Sequence, residues 1–350
     1  MQTYGLQASR SPVFAMREML KRAEPIKVLS NFGSQYEVPK NSTDTIAMRR
    51  AQPIDFVTNT AASNYGAPVV DPVNYIMQDG VTPAARSLTY VDVTATLQEY
   101  GVLYKLSSKT YRMYEDRAID DMISTVAEHM ATLEEMICYG VVRAGTNVVF
   151  QNGTARNQVS QPVSLGRLRQ CARALLSAHG KTITKRLAPG AAFGTSPVHP
   201  AFLVFLHSDL VADARNIPGF IPVSEYGSFQ PVHDREIGAV EEFRFVQSPY
   251  FRPFLQSGAT VAAGTVLTNG VSGSGAADVY PIVITGAEAW GQVALKGMAA
   301  IKPIVVKPED ANHGNPLRRF GFVGAEFVKT AVRLNENWMV RLEVAATVLS

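Results

Sequence analysis

The chain has 350 residues, 46% hydrophobic and 18% charged, with a formal net charge of +3. That composition excludes a collagen-like or wholly disordered polymer and supplies enough apolar material for a core, and the length suggests about two domains. No apolar run reaches the roughly 20 residues of a membrane span, MQTYGLQASRSP lacks the apolar region of a secretory signal, and two cysteines form neither a disulfide framework nor a zinc site.

The first 50 residues are basic. Arg10, Arg17, Lys21, Arg22, Lys27, Lys40, Arg49 and Arg50 face Glu18, Glu24, Glu37 and Asp44, an excess of four, so the remainder carries one net negative charge. SPVFAMREMLKRAE sets Val13, Phe14, Met16, Met19 and Leu20 partly on one helical face. A solvated amphipathic helix explains these charges first, and contact with a polyanion second.

From Ile54 an extended segment leads into GAPVVDPVNYIMQDGVTPAARS, residues 66–87. Its prolines and glycines exclude a helix or a central strand. It still carries Val69, Val70, Val73, Tyr75, Ile76 and Met77, too apolar for a disordered linker. Either the segment folds back on its own domain, or it is an arm that buries these side chains on a neighbouring subunit. TYVDVTATLQEYGVLYKLS follows from Thr89 with period-2 alternation, and Gly101 suggests a bulge. Next comes a helix of about 28 residues, roughly 42 Å, from near Asp116 to Gly145. Ile119, Met122, Ile123, Val126, Met130, Leu133, Met136, Ile137 and Val141 form its apolar stripe. Arg117, Asp120, Asp121, Glu128, Glu134 and Glu135 are expected on the polar side, and Cys138 as a buried thiol.

Beyond Thr146 strands and helices mix. VVF (148–150) is a strand, and Ser164 caps a helix that runs through Cys171, a second buried thiol, to Gly180. PAFLVFLHS (200–208) is a buried strand, followed by a short helix ending at Asn216. VEEFRFVQS (240–248) and VYPIVITG (279–286) are strands, and residues 249–278 read as surface loop. FVKTAVRL and WMVRLEVAATV are expected to form a hairpin around Asn335-Glu336-Asn337, with Lys329 opposite Glu343.

No catalytic or metal-binding constellation stands out. Gly180-Lys181-Thr182 resembles the end of a phosphate-binding loop, but Leu175 occupies the position of its first glycine. The six histidines are scattered without an HExxH. His233-Asp234 reads as polar loop, and Asn312-His313-Gly314-Asn315 as turn chemistry. His207 with Asp209 is the best enzyme candidate, without a nucleophile or third partner. Glu134 and Glu135 are adjacent on a helix and cannot both point to one site. No cofactor, metal or catalytic residue is expected.

The order of elements resembles the major capsid protein fold of tailed bacteriophages, the Hong Kong 97 fold, and more narrowly the podophage major capsid family typified by the enquatroviruses. Gln78-Asp79-Gly80-Val81-Thr82-Pro83, LQEYGVLYKLS (97–107) and GNPLRRFGFVGAEFVKTAVRLNENWMVRLEVAAT (314–347) carry the resemblance. Gln78 and Phe327 depart from the pattern, as a divergent member would. The resemblance implies an α+β fold: N-terminal arm (1–52), extended hairpin loop with flanking strands (53–110), spine helix (111–145), axial domain (146–297) and closing strands of the peripheral domain (298–350). It implies a non-enzymatic shell protein whose hexamers and pentamers enclose double-stranded DNA in a virion assembled in the host cytoplasm. Val69, Val70, Val73, Tyr75, Ile76 and Met77 would contact an adjacent subunit, and Arg10, Arg17, Lys21 and Arg22 would face DNA without reading its sequence. Scaffold, portal and decoration proteins are possible partners; a membrane is not. An encapsulin-like nanocompartment shell and an unrecognised α/β enzyme are the alternatives.

Overall fold

The computed structural model describes residues 26–51, 76–77, 79–80, 82, 85, 87–88, 90–113, 118–188, 194–226, 230–298, 301–309 and 315–349. In chain order the first elements are β1 (Ser34–Val38), β2 (Thr45–Ala51), β3 (Tyr90–Thr96), β4 (Gln98–Ser107), α1 (Ser108–Met113) and the long α2 (Ala118–Arg143). Then come β5 (Val148–Phe150), α3 (Leu165–Ser177), β6 (Ile183–Ala188), β7 (Gly194–Leu206), α4 (Val211–Arg215), β8 (Ile221–Pro222), β9 (Glu236–Val240) and β10 (Phe243–Gln247). The last are β11 (Thr260–Val261), β12 (Gly275–Ala276), β13 (Tyr280–Thr285), β14 (Trp290–Leu295), β15 (Lys302–Val306), β16 (Phe320–Arg333) and β17 (Met339–Val344). By contacts the chain divides into two compact units, Met1–Ile46 with Ala95–Val141 and Gly291–Val332, and Ala47–Thr94 with Val142–Trp290 and Arg333–Ser350.

The first unit is built on α2 and a five-stranded sheet. Its order is β1-β14-β16-β15, with β4 on the other edge of β16. Asp120 and Asp121 in the first turn of α2 and Arg143 in its last complement the helix dipole. Ile123, Val126, Ala127 and Met130 pack against Val323, Ala325 and Phe327 of β16 and Tyr100, Val102 and Tyr104 of β4. Fully burying an aliphatic side chain of this size contributes about 1.5–3 kcal/mol. Helix and sheet meet here because a 3.6-residue stripe and a period-2 face are both apolar. The register of β4 on β16 runs unbroken from Ser107↔Phe320 to Gln98↔Lys329, with Gly101 opposite Glu326. Gly101 is therefore an ordinary ladder position, and the expected bulge is absent. The interruption falls at Leu97, between β3 and β4.

The second unit holds the larger sheet, order β5-β17-β13-β7-β10-β9-β8 with β6 added to β7. β7 runs parallel to β10, and β5 parallel to β17, within an otherwise antiparallel sheet. Phe202, Val204 and Leu206 of β7 join Leu168, Cys171 and Leu175 of α3 in one core. Phe205 points the other way and stacks on Phe251 at 6.0 Å. Both faces of β7 are covered, so its sequence is continuously apolar instead of alternating. α3 ends in a left-handed turn at His179 (φ 55°), and the Gly180 N–H reaches Leu175 O at 2.8 Å. A Cβ at Gly180 would lie 2.9 Å from that oxygen, so a glycine is needed where the helix closes.

Two further expectations are corrected. The C-terminal hairpin does not form: β16 belongs to the five-stranded sheet, while β17 pairs with β13 and β5. Lys329 accordingly meets Glu134 of α2, and Glu343 meets Arg156 and Arg341. Alternation identifies the buried face of a strand but not its neighbour. Residues 249–278 are also more than surface loop, because Val266 and Ala277 join Val159, Val279 and Ala345 in a small core of their own.

Candidate assembly surfaces

β2 and β3 form a two-stranded ribbon outside both large sheets. In it Arg49 makes a bidentate pair with Asp92 (Nε–Oδ1 2.7 Å, Nη2–Oδ2 2.9 Å) and lies 5.4 Å over the Tyr90 ring. The Arg49 hydrogen bond holds the Asp92 carboxyl below its ordinary range. Both side chains are exposed, so salt screens the pair and its contribution is small. Ala95 is the buried residue of the ribbon, and the rest are exposed or half-buried. A ribbon this bare is marginal on its own. It carries residues 52–89. Val69, Val70, Val73 and Tyr75 lie outside the described residues, as do Arg10, Arg17, Lys21 and Arg22. Ile76 and Met77 are described, and at 73% and 70% exposure they present their apolar side chains to solvent.

A second feature overturns the sequence reading of α2. Glu134 and Glu135 are buried, not on a solvated side. The Glu135 carboxylate accepts the backbone N–H groups of Val28 (3.2 Å), Leu29 (2.7 Å) and Ser30 (3.2 Å). Glu134 takes Lys27 and Lys329, each at 2.5 Å. The two carboxylates do diverge, yet Glu134 through Lys27 and Glu135 through three amides fasten the same stretch, residues 27–30. Burial pushes Glu135 up, more than its three amide donors pull it down. Burial also acts on Glu134, but Lys27 and Lys329 outweigh it and bring that group below its ordinary value. Nothing in the sequence signals this clamp, because its donors, three main-chain amides and the Lys27 and Lys329 side chains, are all about a hundred residues or more away along the chain.

The enzyme candidates make local hydrogen bonds. His207 Nδ1 accepts the Asp209 N–H at 3.2 Å and caps a single helical turn. Asp209 accepts the Tyr280 hydroxyl at 2.8 Å, and burial, reinforced by this bond, pushes that phenol up. No serine, threonine or cysteine side chain hydrogen-bonds to this trio among the described residues. His233 Nδ1 accepts the Arg235 N–H at 3.0 Å in a turn. His313 lies outside the described residues. Cys138 and Cys171 are free buried thiols, pushed up by burial, Cys171 to about 12. Among the described residues no group of His, Cys, Asp and Glu could hold a metal ion, and no helix is long and apolar enough to cross a membrane.

The sheet face opposite α2 is bare. Leu103 is 63% and Ile304 38% exposed. Both sit opposite Gly324, on its two sides. Phe320 and Phe322 meet edge-on at 5.3 Å nearby, and Lys105 Nζ lies 4.0 Å over the Phe320 ring. The ribbon and this open sheet are the two surfaces that the described chain leaves unfinished.

Solved structures with the same arrangement exist. The capsid of Ralstonia phage GP4 matches at a TM-score of 0.61 and 9% identity, over 91% of this chain and 88% of that one. The chain has a phage capsid fold. The cyanophage Pam1 capsid asymmetric unit matches this fold at a TM-score of 0.58 and 12% identity, over 93% and 92% of the two chains. The capsid of a native GTA particle matches at 0.54 and 7% identity, over 93% and 91%. No protein-family model and no curated protein matches the sequence. The capsid fold agrees with the expected Hong Kong 97-type α+β architecture.

Proposed function

We propose that this chain is the major capsid protein of a tailed phage, non-enzymatic, assembling as hexamers and pentamers into an icosahedral shell around double-stranded DNA. The supporting observation is a capsid fold that extends over about nine-tenths of the chain and of its structural counterparts. The unit of α2 and the five-stranded sheet is then the peripheral domain, and the unit of the eight-stranded sheet the axial domain. The arm of residues 66–88, with Val69, Val70, Val73, Tyr75, Ile76 and Met77, lies across a neighbouring subunit. Burial on a partner would stabilise both its apolar side chains and the bare ribbon beneath it. Arg10, Arg17, Lys21 and Arg22 make phosphate contacts with packaged DNA, without base readout. The shell resides in the virion after assembly in the host cytoplasm, where scaffold, portal and decoration proteins join it.

Electron microscopy and nucleic-acid analysis of native particles test this reading. DNA-filled icosahedral heads are expected. Particles filled with a protein cargo, or a small oligomer without shells, would overturn it. For the basic arm, neutralising Arg10, Arg17, Lys21 and Arg22 together lowers DNA retention at moderate salt and leaves empty-shell assembly intact. Failed assembly with unchanged DNA retention in residual particles would reassign the arm to subunit contacts.

A further inference from the structure

The two large sheets end differently. At its two ends the eight-stranded sheet stops at β8, two residues including Pro222, and at β5, three residues. These two edges are blunted and deny a template to a foreign strand, while a third, the six-residue β6, pairs with β7 alone among the described strands. In the five-stranded sheet β4 runs for ten residues and pairs with β16 alone among the described strands. Its outer row of N–H and C=O groups is a ready site for strand addition.

The side chains of β4 specify the added strand. β4 carries one acid, Glu99, and one base, Lys105. Both are exposed, on the face opposite α2, and neither makes an ion pair with a described residue. Two copies of β4 laid antiparallel about Val102 place Glu99 of each copy opposite Lys105 of the other. The same register sets Tyr100 opposite Tyr104 on the α2 side, an aromatic cross-strand pair made twice. It also sets Leu103 opposite Gly101. In the chain itself Leu103 already sits opposite Gly324, where a Cβ would come within 2.8 Å of the Leu103 Cδ1 atom. Leu103 would then be flanked by glycine on both sides and have room to lie flat. With one acid and one base on the strand, no other antiparallel register pairs opposite charges.

We propose that β4 pairs with β4 of a second copy of this chain, antiparallel about Val102, fusing two five-stranded sheets across a two-fold axis. The contact is isologous: the same patch serves both partners, and the ion pair occurs twice. It does not rest on the capsid reading, since a soluble dimer would show it equally.

The test uses the full-length chain carrying Val102→Cys, a position that faces itself across the axis. Cys138 and Cys171 are buried and leave the new thiol as the accessible one. Mild oxidation is expected to give a covalent dimer linked 102 to 102. Glu99→Lys or Lys105→Glu alone replaces two attractions with two repulsions and lowers the dimer yield roughly tenfold. The two reversals combined restore it. Because Glu99 and Lys105 are exposed, sedimentation of the charge variants without the cysteine gives a second readout that does not depend on how Val102→Cys folds. No 102–102 link together with sedimentation indifferent to charge overturns the proposal. So does a link insensitive to the reversals.

Discussion

Glu134 shows how one carboxylate can be worth more than its surroundings suggest. It is buried, and two lysines from different parts of the chain meet on it. Its folded value is depressed, so the stability it confers is fully present above the ordinary carboxylate range and is lost as pH falls through the lowered value. Lys329→Met should therefore destabilise by about 1–3 kcal/mol at neutral pH. The deficit should shrink as pH falls below the ordinary carboxylate range, where Glu134 protonates in the variant before it does in the parent. Denaturant titrations at pH 7 and pH 3.5 check this, and a pH-independent deficit would show that Lys329 acts by packing alone. Glu135 has the opposite sign: burial raises it, so its charge costs stability as pH rises through that raised value. Glu135→Ala leaves three buried N–H groups at Val28, Leu29 and Ser30 without their acceptor. It should free residues 27–30 for rapid amide exchange while α2 stays protected, readable by hydrogen exchange.

At the scale of elements, α2 was legible because its stripe obeys a single period. Val126 is fully buried beneath it, so Val126→Asp should cost about 3–5 kcal/mol and abolish soluble expression. A soluble variant melting with the parent would refute the packing described for α2. The strands were legible where they alternate, as in β4, or run continuously apolar, as in β7 and β13. β9 and β14 escaped because a five- or six-residue strand without alternation looks like loop, and β1 and β15 because an alternation of five residues is too short to stand out. Partner choice escaped altogether. Val332 and Val340 fit a hairpin ladder by pattern, but they serve two different sheets. Gly321 and Gly324 carried the hidden information: a Cβ at either would sit 2.6 Å from a carbonyl oxygen, of Val306 or Val102. Gly324→Val should cost about 1–3 kcal/mol from overpacking against β4, measured as a loss of thermal stability.

For the whole molecule, the readable part was the order of elements, and the unreadable part was every contact made by main-chain groups. Deleting residues 68–86 should leave a folded subunit, by circular dichroism, that forms no shells under the microscope. Normal shells from the deleted chain would make the arm an ordinary loop. Light scattering of the intact chain should find large shells or capsomer rings, and a clean monomer across salt conditions would reject self-assembly.

The way each unit is stitched from distant segments also sets a clock. β1 pairs with β14, Ser34 beside Gly291, and α2 finds its floor in Val323, Ala325 and Phe327. A ribosome adds about 5–20 residues per second, so the helix is made about 10–40 s before the strand it packs on. Until then its stripe has no native cover, and local folding cannot finish because the required contacts are distant in sequence. A nascent chain would stay incompetent through nearly all of its synthesis, and chaperones would hold it longest with Ile123, Val126 and Met130 uncovered. Truncation anywhere before residue 333 should yield aggregates in place of a smaller working subunit.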